Sequence, residues 1–483
     1  MKTVRTRIAP SPTGENLHIG NAYTALINFV VAKQNNGQFI IRIEDTDRTR
    51  FVLGSERRIL ESLAWLGIPH DEGPDNDGPF APYRQSERLE FYRKYAEELV
   101  EKDHAYYCFC TPDQLGEMRK EQEARHEPPR YDGHCRELKT QNSKLPAKRD
   151  PAPRDKIQNG EKYVIRLKVP DEGVTTFTDL IRGEISFENK LIDDQVLLKS
   201  DGFPTYHLGV VVDDHGMEIS HVIRGEEWIS STPKHILLYR FFGWDIPVYA
   251  HLPLLRNPDK SKLSKRKNPV WASWYKEQGY LPEALLNYLA SMAWAHPKGD
   301  ELFSIDGMIK VFDLKDVQTT APIFDIEKLR WMNGEYLRSY QLSAISYQLY
   351  NFFNQKYPLE MIEQIWPLVR ERMKTLKEFE SLAGFFFERP KEYERPVDKK
   401  LLTFSHHALE LSDWNHDAME KRIREAAEKS GIKAKDLFME LRIAITGKSV
   451  GPPILESLEI LGREESLKRL SVIPAPEPES ITI

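Results

Sequence analysis

The sequence predicts an α/β protein, built on a doubly wound parallel sheet with an α+β insertion and followed by an all-α region. Strand and helix patterns alternate near the N-terminus, whereas beyond about Ala321 only amphipathic helical patterns remain. The chain has 483 residues, which is more than one hydrophobic core usually supports. We therefore expect several domains.

The N-terminal segment follows a strand–helix–strand–helix order. Val4–Ala9 alternates apolar or small residues with arginine, as a half-buried strand does, and Pro10–Gly14 ends it. A helix is predicted over His18–Asn35, a buried strand over Gln38–Glu44, and a second helix over Ser55–Gly67 with Ser55 as its N-cap. A right-handed βαβ crossover is the simplest assembly, and ligands bind such sheets at the carboxyl ends of the strands.

The middle of the chain interrupts this alternation. Asp103–Asp171 contains all three cysteines and the polar stretch Gln141–Lys156, and is predicted to be an insertion. Gln195–Lys199 and Thr205–Val212 are predicted to form a hairpin, and Thr232–Gly243 a helix with proline in its first turn. The remaining predicted helices are Glu327–Trp331, Ile362–Leu382, Asp417–Glu428 and Ile454–Leu470.

Composition excludes several classes of protein. The formal net charge is −6, from 68 basic and 74 acidic residues, so the molecule is not a polycation and any nucleic-acid surface must be local. No stretch approaches the roughly 20 apolar residues of a membrane span, and the N-terminus lacks the apolar block of a signal peptide. Three cysteines cannot form a paired disulfide framework. We expect a cytoplasmic protein with no membrane partner.

A loop with proline and glycine precedes the first predicted helix. Pro10-Ser11-Pro12-Thr13-Gly14 is followed by His18-Ile19-Gly20-Asn21 at the helix start. The free N–H groups and positive dipole end of a helix attract anions, and an imidazole there can hydrogen-bond a phosphate. Because a turn before a helix also occurs in proteins without a ligand, this motif alone leaves both interpretations open.

A cluster of positive charge lies much further along the chain. The segment Lys260-Ser261-Lys262-Leu263-Ser264-Lys265-Arg266-Lys267 carries five cations in eight residues and is flanked by asparagine–proline pairs. Lysines on a loop can neutralise charge that develops on phosphate oxygens and on a leaving pyrophosphate. A solvated loop or a nucleic-acid patch is the alternative.

The two motifs together resemble the signatures of the class I aminoacyl-tRNA synthetases, a His-Ile-Gly-His-like box and a Lys-Met-Ser-Lys-Ser-like loop. The resemblance narrows to the bacterial-type glutamyl-tRNA synthetase family. Further segments that carry it extend over most of the chain: Arg7–Gly14, Arg42–Asp47, Tyr83–Ser86, Val196–Leu208, Val222–Trp228 and Leu329–Gly334.

The resemblance implies an ATP-dependent ligase that forms glutamyl-adenylate and passes the glutamyl group to the 3′ end of tRNA(Glu). ATP and Mg2+ are the implied cofactors. The implied catalytic residues are His18, Gly20, Lys262, Lys265 and Arg266. The implied ATP-binding residues are Thr13, Gly14, His18, Gly20, Asn21 and Lys265. Asn21 stands where the family box has a second histidine, so we expect the outer contact to the nucleotide to differ.

The resemblance also implies a pocket for L-glutamate, formed by Arg7, Ala9, Ser11, Glu44, Tyr206 and Arg224. Glu44 is expected to meet the ammonium group, and the two arginines the two carboxylates, because a guanidinium can grip a carboxylate with two hydrogen bonds. Without the resemblance, Arg7 and Glu44 could form a cross-strand ion pair, and Arg224 could be a surface residue. Val210 stands where some relatives carry an amide side chain.

The cysteines allow a metal site. Cys108, Cys110 and Cys135 have a spacing that lets three thiolates meet on Zn2+, which takes four ligands. This resembles the zinc site in the acceptor-binding insertion of some glutamyl-tRNA synthetases. Where some relatives have histidine this chain has Glu137, and Tyr131 and His134 are alternative fourth ligands, while three unrelated buried thiols are the other interpretation.

Three other clusters are weaker candidates. Asp213-Asp214-His215 resembles a hard-metal cluster, but a turn after a strand is the favoured interpretation. Lys144–Lys156 and Arg370-Glu371-Arg372 are candidate tRNA contacts. On a helix, Arg370 and Arg372 would not share a face, so at most one of them is expected to reach tRNA.

The resemblance implies a domain order and a monomer. The expected regions are 1–102, the first half of a Rossmann-like catalytic domain; 103–195, an insertion that contacts the tRNA acceptor arm; 196–255, the second catalytic half; 256–320, the lysine-rich catalytic loop and stem-contact region; and 321–483, a helical anticodon-binding region. The alternatives are a glutaminyl-type or tRNA-modifying glutamyl synthetase, an RNA-independent nucleotidylyltransferase, and a catalytically inactive RNA-binding protein.

Overall fold

The computed structural model describes residues 3–136, 153–263 and 269–471. The chain divides into two compact units. The first unit comprises Met1–Trp274 and Leu286–Asp325, and the second comprises Tyr275–Leu285 and Ile326–Ile483. Among the described residues, no helix is both long enough and apolar enough to cross a membrane.

The first unit contains the strands and helices that surround the candidate site. Its strands are β1 (Arg5–Ile8), β2 (Gln38–Ile41), β3 (Ala105–Cys108), β4 (Val164–Leu167), β5 (Val174–Asp179), β6 (Gly183–Glu188), β7 (Val196–Leu198), β8 (His221–Gly225) and β9 (Val248–Leu252). The helices are α1 (Ile19–Gln34), α2 (Ser55–Trp65), α3 (Leu89–Glu101), α4 (Pro112–Ala124), α5 (Pro153–Gln158), α6 (Tyr206–Gly216), α7 (Thr232–Phe242), α8 (Ala272–Glu277), α9 (Pro282–Ser291) and α10 (Ile305–Val311). The division between the units passes through α8 and α9.

The N-terminal strands form the parallel arrangement that the sequence predicts. β1 pairs with β2 in parallel, from Arg5 opposite Gln38 to Ile8 opposite Ile41, and α1 connects them. A second sheet has the order β6-β5-β9-β8, in which β5, β9 and β8 are parallel and β6 is antiparallel. The Ser220 N–H donates to the Arg5 carbonyl at 3.0 Å, which brings the start of β8 beside β1.

Local sequence explains why the first crossover is compact. α1 is buried on all its faces from Ala25 to Ala32, and the helix ends before Asn35 as predicted. At Gly37, an added Cβ would lie 2.0 Å from the Val4 carbonyl oxygen, so only glycine allows the chain to pass this close to β1. The βαβ prediction and the α/β fold class are confirmed.

Two predictions in this unit are wrong in detail. Ser55 is the first residue of α2 and not its N-cap, because Gly54 occupies the cap position with φ +75°. The predicted strand Thr205–Val212 is helix α6. The chain does turn back between Leu198 and Pro204, but β7 then pairs with β4. The run from Leu208 to Val212 is buried throughout, and periodicity cannot separate a buried strand from a buried helix.

The described part of the second unit is helical and contains no strand. Besides parts of α8 and α9, it comprises α11 (Ile326–Ser339), α12 (Leu342–Phe352), α13 (Leu359–Val369), α14 (Glu378–Ala383), α15 (Lys399–Glu410), α16 (His416–Ser430), α17 (Ala434–Thr446), α18 (Ile454–Leu461) and α19 (Arg463–Ser471). The all-α prediction for the C-terminal third is confirmed.

Three boundaries in the second unit differ from prediction. Ile362–Leu382 is not one helix, because α13 ends at Val369 and α14 starts at Glu378, whose carboxylate accepts the Lys374 N–H. Ile454–Leu470 is divided at Gly462, which has φ +80°. Arg370 caps α13, so Arg370-Glu371-Arg372 follows a helix instead of lying on one.

Candidate active site

A cleft of about 290 Å³ opens at the carboxyl ends of β1, β8 and β9. Ile8, Gly225 and Leu252, the last residues of these strands, all line it. Further lining residues come from the start of α1, the start of α6 and the loop after β9. This is the edge at which doubly wound sheets bind ligands.

The structure brings most of the candidate residues to this cleft. The lining includes Arg7, Ala9, His18, Gly20, Asn21, Glu44, Tyr206, Val210, Arg224 and Lys262. Ser11, Thr13 and Gly14 lie on the loop between β1 and α1 and are not among the lining residues. Lys265 and Arg266 lie outside the described residues. His18 and Lys262, which are 244 positions apart, therefore meet at one cleft.

The start of α1 forms one side of the cleft. His18 is the N-cap of α1, and its Nδ1 accepts the Gly20 N–H at 3.0 Å, which turns the imidazole towards the helix end. At Gly14, an added Cβ would lie 2.8 Å from the Trp271 ring, so glycine keeps this loop close to its neighbour. Asn21 is exposed, and the Lys262 side chain is 67% exposed with its Nζ 3.9 Å from Glu227. This side combines helix N–H groups with an accessible ammonium.

The opposite side rests on a buried network of charges. Arg7 donates from Nε and Nη2 to the two oxygens of Asp214, at 3.0 and 3.1 Å. Arg42 lies between Asp214, at 2.8 Å, Asp213, at 3.6 Å, and Glu44, at 3.1 Å. Burial alone would raise the pKa of Asp214, but the attraction of the two guanidinium groups holds it below its usual range. The alternative ion pair between Arg7 and Glu44 is wrong, since each has another partner.

Asp213 and Asp214 were expected at a turn, and that prediction is also wrong. Both are buried inside α6. Asp213 accepts hydrogen bonds from Arg88, at 2.8 Å, and from Gln85 and Tyr92. The carboxylates are thus occupied by side chains of this chain, and a metal role for them has no support.

Two acidic residues line the cleft, Glu44 and Glu227, and Glu227 lies beside Lys262 whereas Glu44 lies beside the buried arginines. The Glu44 side chain is 12% exposed, and burial raises its pKa while Arg42 opposes the shift. A carboxylate in this position can attract an ammonium group from a bound molecule. Tyr206, at the start of α6, faces the same space and its ring lies 4.2 Å from the Trp228 ring.

Arg224 is held differently from the other arginines of the site. It is 5% exposed, so the interpretation as a surface residue is wrong. Its guanidinium donates to Tyr206 Oη at 2.9 Å, Thr232 Oγ1 at 2.9 Å, His251 Nε2 at 3.1 Å and His235 Nδ1 at 3.3 Å. Within the described part of the chain, no carboxylate oxygen lies within ion-pair distance of it. Arg224 is a buried cation whose direct partners are neutral.

Four arginines and four carboxylates lie in and behind this side of the cleft, but they are not all in direct contact. Three buried arginines, Arg7, Arg42 and Arg88, face three carboxylates, Asp213, Asp214 and Glu44. The fourth arginine, Arg224, contacts no carboxylate directly, and the fourth acid, Asp179, is separated from it by the imidazole of His251. A buried guanidinium with only neutral groups in direct contact can bind an anionic group that enters the cleft.

Sequence reasoning missed the residues around Arg224. His207 in α6, His235 in α7 and His251 in β9 had no ligand-like spacing, and Asp179 at the end of β5 belonged to no motif. Burial lowers the pKa of His207 to about 3 and also lowers those of His235 and His251. These imidazoles are neutral and can accept hydrogen bonds.

The three cysteines form a second cluster. Their sulfur atoms all lie within 4.8 Å of one another, and those of Cys110 and Cys135 are 3.5 Å apart. The Tyr131 hydroxyl lies 3.4 Å from Cys108 Sγ and 3.3 Å from Cys110 Sγ. Three sulfurs this close together could hold one metal ion, with the phenolic oxygen beside them as a further donor atom. Glu137 lies outside the described residues.

Comparison with known proteins follows the same division of the chain. Residues 3–331 match the family described as tRNA synthetases class I (E and Q), catalytic domain. Residues 335–473 match the family described as anticodon binding domain. The chain belongs to the class I tRNA synthetases of the E and Q type.

Individual relatives match over nearly the whole chain. A protein of Cellvibrio japonicus named glutamate–tRNA ligase is 48% identical over 97% of this chain and 93% of its own length. One of Acidothermus cellulolyticus with the same name is 45% identical over 97% and 95%. The crystal structure of a glutamate tRNA ligase from Elizabethkingia meningosepticum in complex with its amino acid has 37% identity and a TM-score of 0.85, covering 97% of this chain and 99% of that one.

Proposed function

We propose that this chain is an ATP-dependent glutamate–tRNA ligase. It activates L-glutamate with ATP to glutamyl-adenylate and transfers the glutamyl group to the 3′ end of tRNA(Glu). The observation that carries the proposal is the buried guanidinium of Arg224, which lines the cleft and contacts only neutral groups. The names of the relatives at 45% and 48% identity support the same activity.

The charge of the cleft favours glutamate over glutamine. At neutral pH L-glutamate has two carboxylates and one ammonium group, and hence a net charge of −1, whereas glutamine has none. Arg224, which has no carboxylate in direct contact, can pair with the side-chain carboxylate of glutamate, whereas the neutral amide of glutamine offers no counter-charge. This argument opposes the glutaminyl alternative.

Each cleft residue has a role in this proposal. Arg224 binds one carboxylate of glutamate, and Arg7 binds the other through Nη1, which takes no part in the pair with Asp214. Glu44 meets the ammonium group, and Ala9 and Tyr206 complete the pocket. Ser11 lies on the adjoining loop outside the cleft lining, and its contact with glutamate stays a prediction from the resemblance. Because Arg7, Glu44 and Arg224 are held by other side chains, the substrate binds without reorganising them.

The other side of the cleft holds ATP, bound with Mg2+. Thr13, Gly14, His18, Gly20 and Asn21 contact the nucleotide, and helix N–H groups face its phosphates. The glutamate α-carboxylate attacks the α-phosphorus, the bond to pyrophosphate breaks, and glutamyl-adenylate forms. The positive charges that stabilise this step come from Lys262, Lys265 and Arg266.

The cysteine cluster is proposed to hold a structural Zn2+. Cys108, Cys110 and Cys135 supply thiolates, and we favour Tyr131 over His134 and Glu137 as the fourth ligand, because its hydroxyl lies within 3.4 Å of two of the sulfurs. Metal analysis of the purified protein tests this proposal. We expect about one equivalent of zinc, which Cys110→Ser removes. A zinc content below half an equivalent that does not change in the variant would contradict it.

The remaining assignments concern the partner and the domains. We propose that 1–102 and 196–255 form the catalytic domain, 103–195 contacts the acceptor arm, 256–320 carries the catalytic loop and contacts the stem, and 321–483 binds the anticodon of tRNA(Glu). The protein is proposed to work as a cytoplasmic monomer. The candidate contact Lys144–Lys156 lies outside the described residues as far as Ala152, so it stays a prediction.

ATP–pyrophosphate exchange tests the activity. We expect exchange with L-glutamate that requires tRNA(Glu), as the family resemblance implies. Exchange with glutamine alone would favour the glutaminyl alternative, and exchange independent of RNA would favour a nucleotidylyltransferase. An absence of exchange under every condition would favour an inactive RNA-binding protein.

A further inference from the structure

Arg224 is the last link of a buried chain of hydrogen bonds that starts at an acid on another strand. The Asp179 carboxylate lies 2.6 Å from His251 Nδ1, and His251 Nε2 lies 3.1 Å from Arg224 Nε. All three side chains are at most 5% exposed. Strand register explains their meeting, since Arg224 on β8 is directly opposite His251 on β9, and β5 pairs with β9 at Asp179.

The protons of this chain can be assigned from chemistry alone. A guanidinium only donates hydrogen bonds, so His251 Nε2 must carry a lone pair towards Arg224. Its proton is then on Nδ1, where the Asp179 carboxylate accepts it. Thr232 Oγ1 lies 3.2 Å from Nε2, but it donates its own hydrogen to the Trp228 carbonyl and accepts one from Arg224. His251 is thus fixed as the tautomer that accepts.

A second imidazole repeats the arrangement. His235 Nδ1 lies 3.3 Å from Arg224 Nη1, and its Nε2 lies 3.1 Å from His207 Nδ1. By the same reasoning, His235 accepts from the arginine and donates to His207. Two neutral rings therefore hold the guanidinium, whereas Arg7 in the same cleft is held by the Asp214 carboxylate.

We propose that Asp179 and His251 are positioning residues that fix Arg224 through a neutral acceptor, so that its orientation is set while its charge stays available to a carboxylate of the substrate. This inference rests on the proposed binding of glutamate by Arg224. A carboxylate in direct contact, such as Asp214 at Arg7, would hold the guanidinium equally well but would offset more of its charge. The His251 imidazole fixes the orientation of Arg224 because Asp179 fixes the imidazole. The Asp179 carboxylate itself stays separated from the guanidinium by the width of the ring.

Asp179→Asn is the sharpest test. The amide oxygen can keep the hydrogen bonds that Asp179 Oδ1 accepts from the Ile181 and Arg182 N–H groups. The amide nitrogen can only donate, so His251 must accept at Nδ1 and carry its proton on Nε2, facing the N–H of Arg224. We expect the KM for glutamate in tRNA-dependent exchange to rise roughly 10- to 100-fold, with the KM for ATP unchanged and kcat changed much less.

Two variants of His251 test whether hydrogen-bonding capacity at this position is enough to keep the KM for glutamate low. A glutamine side chain offers one acceptor and one donor group, so His251→Gln should keep the KM for glutamate near that of the unmodified protein. His251→Leu offers neither and should raise it as Asp179→Asn does. Asp71→Asn is the matched control, because Asp71 binds Lys33 and the Phe39 N–H and takes no part in this chain. It should leave both KM values unchanged.

The outcomes separate this inference from the proposed function. If the unmodified protein shows no exchange with glutamate, the proposed function fails. If it does exchange and Asp179→Asn has an unchanged KM for glutamate, the positioning role is overturned and the function stands. Should circular dichroism show that Asp179→Asn is unfolded, the His251 pair decides, and equal KM values for His251→Gln and His251→Leu overturn the inference.

Discussion

The two sides of the cleft are built on different principles. On the amino-acid side, Arg7, Glu44 and Arg224 are largely buried, and other side chains fix them. On the nucleotide side, Asn21 and Lys262 are exposed and the helix start of α1 provides backbone groups. Under the proposed function, this difference assigns specificity to the rigid side, where a change affects binding and stability, and rate to the accessible side, where a change affects neither strongly.

Arg224→Gln should have the largest effect. Removing a buried cation that pairs with a substrate carboxylate is expected to lower kcat/KM for glutamate roughly 100- to 10,000-fold, which corresponds to about 3–5 kcal/mol. Pyrophosphate exchange with tRNA measures it. Arg240→Gln is the control, because Arg240 is exposed on α7 and donates to the Thr176 carbonyl. If kcat/KM for glutamate fell less than tenfold in Arg224→Gln, the assignment of specificity to the buried side of the cleft would be contradicted.

Asp214→Asn should affect stability most. It leaves Arg7 and Arg42 buried with less counter-charge, so the free energy of unfolding should fall by about 3 kcal/mol. Urea titration measures this value. The partly exposed pair of Lys33 and Asp71 provides the control, and Asp71→Asn should cost less than about 1 kcal/mol. If both variants lost a similar free energy of unfolding, the buried charges around Asp214 would contribute no more to stability than a partly exposed ion pair.

The pKa of Asp214 also determines in which direction the stability of the protein changes with pH. The folded-state pKa of Asp214 lies below its ordinary value because the attraction of Arg7 and Arg42 exceeds the opposing effect of burial. Its contribution to stability is therefore complete above the ordinary carboxyl pKa of about 3.9 and is lost as the pH falls through the lower folded-state value. Asp214→Asn should remove this part of the acid dependence.

Glu44→Gln should have an intermediate effect. Loss of the carboxylate removes the attraction for the ammonium group, and we expect the KM for glutamate to rise roughly 10-fold or more. Burial raises the pKa of Glu44, so acid neutralises it at a higher pH than an ordinary carboxyl. The KM of the unmodified protein should thus rise as the pH falls towards that pKa, and the variant should lack this rise. Glu56→Gln, which alters a pair with Arg84, is the control.

Lys262→Met should have the smallest effect. Because its side chain is 67% exposed, we expect kcat to fall roughly tenfold while the KM for glutamate stays constant. Single-turnover formation of glutamyl-adenylate measures the step directly. A rise in the KM for glutamate that exceeded the fall in kcat would place Lys262 on the specificity side and contradict the division.

Local patterns determined how much of this molecule was predictable. The crossover of β1, α1 and β2 follows from alternation, an end signal at Asn35 and a short apolar block, which are all local. Helix α6 was predicted as a strand because Leu208–Val212 is buried on all sides. The sequence there has no alternation of apolar and polar residues that could separate a helix from a strand. The breaks at Val369 and Gly462 depend on caps and on one positive φ, which apolar spacing does not reveal.

In the candidate site, too, local motifs were predictable and long-range contacts were not. Motif resemblance pointed to His18, Lys262, Arg7, Glu44 and Arg224, all of which line the cleft. Asp179 and His251 were missed because they lie on separate strands that meet only through sheet register. The pairing of Arg42 with three acids was equally hidden, since one of them is two residues away and the others are in α6.

The neutral surroundings of Arg224 have a consequence for the accuracy of translation. A competing amino acid with an uncharged side chain would enter the cleft and leave a buried guanidinium without its counter-ion, and a site that rejects a competitor in this way can discriminate by factors of roughly 10,000 or more. Errors of that kind are avoided before the adenylate forms. If Arg224 binds glutamate as proposed, discrimination at the binding step makes a separate hydrolytic site unnecessary.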